Sequence, residues 1–242
     1  MKIKSSIVFL LAASQLPAAN VIVNGGFASG LTGWTVSNAG VGLGGSAEVV
    51  TSLGSQVPLV LSQFALLDSG PAATLGSSTP TYGQLSQSFT LASATTLDLT
   101  FRYTLLTSRF TGAFATENDS FLAEIRPTAG APTAIFSSDV ATGAFVPVPD
   151  VSGIISSPNG ASFLEYVPAI SVNQSISLAA GTYTLVFKVT SNLNSLFDSG
   201  MLIDNVILNN KGTSATPEPA SMLLTAAGLL FAVACASRKA RA

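Results

Sequence analysis

Residues 95–105 read TTLDLTFRYTL. Leu97, Leu99, Phe101 and Tyr103 take every second position, with Thr, Asp and Arg between them. A period of two is that of a strand with one buried face, because successive side chains point to opposite sides of a sheet. The same rhythm returns in TYTLVFKVT at 182–190, where Tyr183, Leu185, Phe187 and Val189 alternate. Gly181 separates this run from a shorter one at 175–178, as a turn residue would. Residues 84–89, 121–125 and 201–208 (MLIDNVIL) have the same character. No stretch between 20 and 211 carries the apolar spacing and caps of an amphipathic helix. Many short strands separated by Gly and Pro predict an all-β domain over 20–211, a β-sandwich or jelly roll large enough to bury its own core. Residues 142–160, with Pro147, Pro149, Pro158 and three glycines, predict a long surface loop.

The chain has 242 residues, 48% apolar and 9% charged, and much of the apolar excess sits at its two ends. At the start, Lys2 and Lys4 precede the apolar residues 7–13 and the small-residue stretch Pro17-Ala18-Ala19. That order predicts a signal peptide over 1–19, cleaved near Ala19. At the other end, residues 220–236 carry no charge and are followed by Arg238, Lys239 and Arg241. As a helix they would rise about 25 Å, close to the thickness of a bilayer's hydrocarbon core. Basic residues beside such a span favour the cytoplasmic side, which leaves 20–216 outside the inner membrane.

Residues 20–216 hold five basic and eleven acidic residues, a net charge of 5 − 11 = −6. This excludes a phosphate-binding surface of clustered Lys and Arg, and with it nucleic acid as a partner. The sequence has no histidine, so Ser-His-Asp and Cys-His arrangements are ruled out. The one cysteine, Cys235, lies in the C-terminal apolar run and staples nothing in the domain. A glycosidase-type pair of carboxylates would have to come from Glu48, Glu117, Glu124 and Glu165. Glu117 and Asp119 cluster oxygen ligands in one turn, which as a class serves either a cation or solvent. The run Gly40 to Gly45 matches G-x-G-x-x-G but lacks the strand and helix that give those glycines a phosphate role, so it reads as a loop.

Two segments resemble known families. Pro217-Glu218-Pro219, the apolar stretch 220–236 and the basic tail 237–242 together resemble the PEP-CTERM sorting signal of Gram-negative bacteria that secrete extracellular polysaccharide. The resemblance implies recognition by an exosortase, removal of the tail, and delivery of the domain to the cell surface or matrix, with 212–216 as the linker. The two prolines hold Glu218 in an extended segment, and the basic residues stop translocation. The stretch NGGFASGLTGWTVS at 24–37 resembles the opening of galactose-binding-like and carbohydrate-binding jelly rolls, and MLIDNVIL resembles their last strand. This second resemblance implies a structural calcium held near Asn24 and Asp204, although the family's acidic position is Ala28 here. It also makes Trp34 either a sugar-stacking residue or a core residue.

The sequence therefore points to an exported, non-enzymatic surface or matrix protein, structural or adhesive, associated with extracellular polysaccharide. The alternative is a carbohydrate-binding module, which needs an exposed aromatic platform drawn from Trp34, Tyr82, Tyr103, Phe110 and Tyr166. A glycoside-cleaving enzyme is the remaining option.

Overall fold

The computed structural model describes residues 20–39, 45–54, 63–70, 80–108, 119–150, 152–191 and 198–211. The predicted signal peptide, linker and sorting tail lie outside the described residues, as do Arg109, Phe110, Glu117 and residues 40–44.

The described chain is all-β, with thirteen strands: β1 Thr35–Ala39, β2 Ser46–Val50, β3 Phe64–Asp68, β4 Thr81–Leu91, β5 Thr95–Thr107, β6 Ser120–Pro127, β7 Thr133–Asp139, β8 Val146–Pro147, β9 Ile155–Ser156, β10 Ser162–Phe163, β11 Glu165–Leu178, β12 Gly181–Ser191 and β13 Ser199–Asn210. They form a five-stranded sheet in the order β1-β4-β12-β6-β7, a six-stranded sheet in the order β2-β3-β13-β5-β11-β8, and the small hairpin β9–β10. Every pairing is antiparallel.

The alternation read from the sequence decides which face is buried. Leu97, Leu99, Phe101 and Tyr103 of β5 and Tyr183, Leu185, Phe187 and Val189 of β12 all enter one core between the sheets. Phe101 meets Phe187 edge-on at 5.1 Å, a contact from one sheet to the other. The observed strands overrun the predicted ones. Residues 175–178 are the end of β11, whose earlier part is disguised by Pro168, and the register of β11 against β5 shifts between Val167 and Ile170. Proline cannot donate to a ladder and is tolerated at such an irregularity. β3, with sequence FALLD, is buried on both faces and so shows no alternation to read.

The predicted surface loop at 142–160 needs correction. It supplies β8 and β9, and Val148 and Ile155 are buried in a second core with Leu53, Phe64, Leu66, Leu106, Ala161, Phe163 and Leu202. This core lies on the outer side of the six-stranded sheet, since Leu66, Leu106 and Leu202 alternate with Leu67, Leu105 and Met201 of the main core. Short apolar residues between prolines carry no periodic signal, so the sequence hid the cover they form.

The opening segment is sewn to the last strand. Asn20 Oδ1 accepts the N–H groups of Ile22 and Leu208, and Val206 N–H donates to Gly25 O at 2.9 Å. A Cβ on Gly25 would stand 1.8 Å from Val206 O, inside any tolerable contact. Gly25→Ala is therefore expected to destabilise the domain by about 3 kcal/mol, the upper range for overpacking, as measured by urea denaturation. A loss below about 0.5 kcal/mol, the scale of a neutral surface change, contradicts this seam.

Candidate ligand-binding face

The outer face of the five-stranded sheet is built by the residues out of phase with the core. On β12 these are Thr184, Val186, Lys188 and Thr190, set between the buried Leu185, Phe187 and Val189. Register places Ser88, Ser86, Gln84 and Tyr82 of β4 beside them on one side. Arg126, Glu124, Leu122 and Ser120 of β6 lie beside them on the other. Three strands at about 4.8 Å spacing and seven residues in length give a platform about 10 Å wide and about 20 Å long.

Tyr82, half-buried, stands at one end of this platform. Its position depends on Gly83, where a Cβ would come within 2.3 Å of the carbonyl oxygens of Ser46 and Asp68, so β4 starts in direct backbone contact with β2 and β3. Lys188 Nζ lies 4.3 Å from the centre of the Tyr82 ring, a cation–π contact. In the middle, Glu124 pairs with Arg126 Nε, its carboxylate mostly buried and the arginine 43% exposed. Val186, on the same row as Glu124, is 1% exposed. Burial first, and then the Arg126 charge, push the Lys188 ammonium below its ordinary range, while Glu124 pulls the other way. Ser88 and Thr184 join their hydroxyls at 3.0 Å, and Thr90 and Thr182 do so at 3.1 Å. The face thus offers one aromatic ring, two cations, one carboxylate and a field of hydroxyl and amide groups.

The residues singled out in the sequence go to different places. Trp34 is 8% exposed and packs between Phe27 at 5.6 Å and Phe187 at 6.1 Å, with Nε1 donating to Asn24 O. Its ring presents no open face, so it is a core residue and not a sugar platform. Tyr103 is buried on the inner face and meets Phe136 at 4.4 Å. Tyr166 packs on the second core, on the outer side of the opposite sheet. Tyr82 alone of the predicted aromatics that are described stands on the outer face of the five-stranded sheet.

The polar groups of Asn24 are engaged within the opening loop. The Asn24 carboxamide donates to the carbonyls of Gly30 and Thr32 and accepts from Ser29 N–H. Its main-chain oxygen takes Trp34 Nε1 and Phe27 N–H. Asp204 sits across the register from Arg102. A calcium needs six to eight oxygens, and no three Asp or Glu residues among the described ones are grouped to hold a metal. Asn24, with φ of 53°, instead ties the opening loop into its turn.

The candidate carboxylates are also dispersed. Glu124 belongs to the platform, whereas Glu48 pairs in register with Leu66, on the outer side of the other sheet. Glu165 faces Thr107 at the end of β5, and is 8% exposed. Asp119 accepts from Ser199 Oγ at 2.6 Å, inside the buried end of the sandwich. Glu48 feels the charge of Asp68, but the pair is not an open cleft. Asp68 is fully buried and accepts from Ser46 Oγ, Asn159 Nδ2 and Gly70 N–H. Through Asn159 it latches the β9–β10 turn onto the sheet.

No family model matches the chain, and no curated protein matches it. Solved structures are similar at low identity. The carbohydrate-binding module TmCBM61, solved with beta-1,4-galactotriose, is 14% identical with a TM-score of 0.42, over 80% of this chain and 100% of that one. The K3 cleaved adhesin domain of Lys-gingipain from Porphyromonas gingivalis w83 is 15% identical with a TM-score of 0.42, over 76% and 96%. The enzymatically active domain of bacteriophage CBA120 tailspike protein 4 is 16% identical with a TM-score of 0.40, over 79% of this chain and 21% of that one. This chain spans about a fifth of that tailspike chain. At these values no ligand or residue role transfers, so function is argued below from this chain's own residues.

Burial and the Asp68 charge raise the Glu48 carboxyl above its ordinary range, and burial raises Asp68. A carboxylate whose folded pKa is raised stabilises the fold fully below its unfolded pKa, and that stability is lost as pH rises through the folded value. Glu48 Oε1 has no hydrogen-bond partner, so its charged form is uncompensated. Glu48→Gln is expected to match the parent at about pH 4, near the ordinary glutamate pKa, and to exceed it in urea denaturation at about pH 7. A variant less stable than the parent at the higher pH would contradict the pairing.

Proposed function

We propose that the protein binds carbohydrate through the outer face of its five-stranded sheet, and that export and exosortase-type processing carry it to the cell surface or the extracellular polysaccharide matrix. The observation that carries the binding half is Tyr82, a half-buried ring at the end of a row of Gln84, Ser88, Thr184 and Thr190. The C–H face of a sugar packs on an aromatic ring, and its hydroxyls exchange hydrogen bonds with amides and hydroxyls. Binding is favoured over hydrolysis because, among the described residues, no second carboxylate shares the rows of Glu124 on β4, β12 and β6, and Asp139, at the sheet's edge, accepts from the main chain and hydroxyl of Thr142. Attachment to a polymer is also what a structural or adhesive matrix component must achieve.

The localisation half rests on the tail, where Pro217-Glu218-Pro219, residues 220–236 and Arg238, Lys239 and Arg241 follow one another. In this reading the inner membrane is a station during export, and the exosortase-type enzyme is the processing partner.

Affinity electrophoresis in gels containing neutral or acidic polysaccharides tests the binding half. Tyr82→Ala is expected to weaken binding at least about tenfold, or about 1.4 kcal/mol. Tyr166→Ala, on the opposite sheet, leaves it unchanged. Retardation that survives Tyr82→Ala, or no retardation in any polymer, defeats the proposal. The localisation half is read by intact mass of protein from surface and matrix fractions: the expected species lacks residues 1–19 and ends near Pro217 to Pro219, only when the processing enzyme is present. A product retaining 220–242 makes the tail a permanent anchor.

A further inference from the structure

The charges of the platform go against those of the domain that carries it. Residues 20–216 have a net charge of −6, with only five cations to distribute. Lys211 Nζ is 3.7 Å from Asp98, and Arg102 stands opposite Asp204 in register. Arg126 and Lys188, by contrast, flank a single carboxylate, Glu124, on one face. Arg126 commits Nε to Glu124, which leaves its terminal donors to the 43% of the side chain that is exposed. Lys188 makes no ion pair among the described residues and rests its ammonium on the Tyr82 ring. It does so at an electrostatic disadvantage, since burial and Arg126 both oppose its charge. A second anion on this face would relieve both.

We propose that the glycan taken by this face is acidic, a polymer of carboxylated sugars, with its carboxylate drawing Lys188 off the Tyr82 ring toward the terminal donors of Arg126 and the sugar ring packing on the Tyr82 face so uncovered. This rests on the carbohydrate-binding reading and narrows it to one chemical class. An aromatic ring with an ammonium beside it matches a carboxylated pyranose, which carries an apolar C–H face and an anion on one unit. A neutral sugar would leave Lys188 as it is, with no gain from the charge. The net charge of the domain makes the selectivity local: the bulk field repels a polyanion, so attraction arises only where the cations are placed.

The test uses the purified protein with two probes that share one backbone, polygalacturonate and its methyl-esterified form. By calorimetry, the parent is expected to bind the acid at least about tenfold more tightly than the ester at about 20 mM NaCl, with the gap narrowing at about 0.5 M as salt screens the contact. Lys188→Gln, with Lys188→Met as a second variant that keeps the apolar stem, should erase most of the preference for the acid over the ester. Circular dichroism confirms that both variants are folded. Equal affinity for the two polymers, or a preference unchanged in both lysine variants, overturns the acidic assignment. If Tyr82→Ala still weakens binding at least about tenfold in that case, the carbohydrate reading stands with a neutral ligand. If binding of every polymer is indifferent to Tyr82→Ala, the carbohydrate reading falls and takes this inference with it.

Discussion

Phe187 is where the two sheets are joined, and its burial fixes what its neighbours on the strand must do. Its ring meets Phe101 of the other sheet at 5.1 Å and Trp34 of the opening segment at 6.1 Å, and it is fully buried. Because successive side chains on a strand point to opposite faces, a buried Phe187 places Val186 and Lys188 outside. Leu85 does the same for Gln84 and Ser86 on β4, and Ala123 and Ile125 do so for Leu122 and Glu124 on β6. The platform is therefore the reverse side of the core. A one-residue slip would exchange Lys188 for Phe187 or Val189 on β12, and Glu124 for Ala123 or Ile125 on β6, so the hydrophobic pattern protects the site as strongly as it protects the fold.

The two faces of the sandwich have different fates for a physical reason. The outer side of the six-stranded sheet is partly apolar at Phe64, Leu66, Leu106 and Leu202, and the segment carrying Val148, Ile155 and Phe163 closes over it. That cover is held by polar contacts at its turn: Asn159 to Asp68, and Ser162 N–H to Asp198 Oδ2 at 2.7 Å. The corresponding side of the five-stranded sheet mixes polar and charged residues with Val186 and Leu122; its middle, at Ser86, Val186 and Glu124, is buried, and Ser88, Thr182 and Arg126 are exposed around it. Apolar surface calls for a cover, whereas the exposed hydroxyls and the arginine are stable against water.

Much of the architecture was legible in period-two runs. TTLDLTFRYTL and TYTLVFKVT fell on adjoining sheets with the predicted faces inward. β3 was not legible, since burial on both sides removes alternation, and β11 was masked by Pro168. Tyr103 had two competing readings: its place in the apolar phase of β5 put it on the buried face, against its role in an exposed aromatic platform, and the structure keeps it buried. Trp34 followed the packing half of its resemblance, because its indole N–H is satisfied by Asn24 O within the opening loop. Glu124 and Lys188 were each visible as out-of-phase polar residues on a strand. What no local pattern held was that β4, β12 and β6 are neighbours, since that pairing joins segments far apart in sequence.

The most direct test of this account is amide chemical-shift mapping during titration with an oligogalacturonate. The largest shifts are predicted on β4 near Tyr82 and Gln84, on β12 around Lys188, and on β6 around Glu124 and Arg126. Shifts confined to the outer side of β5 and β11, or no shifts at all, would contradict the claim that the reverse side of this core is the binding surface.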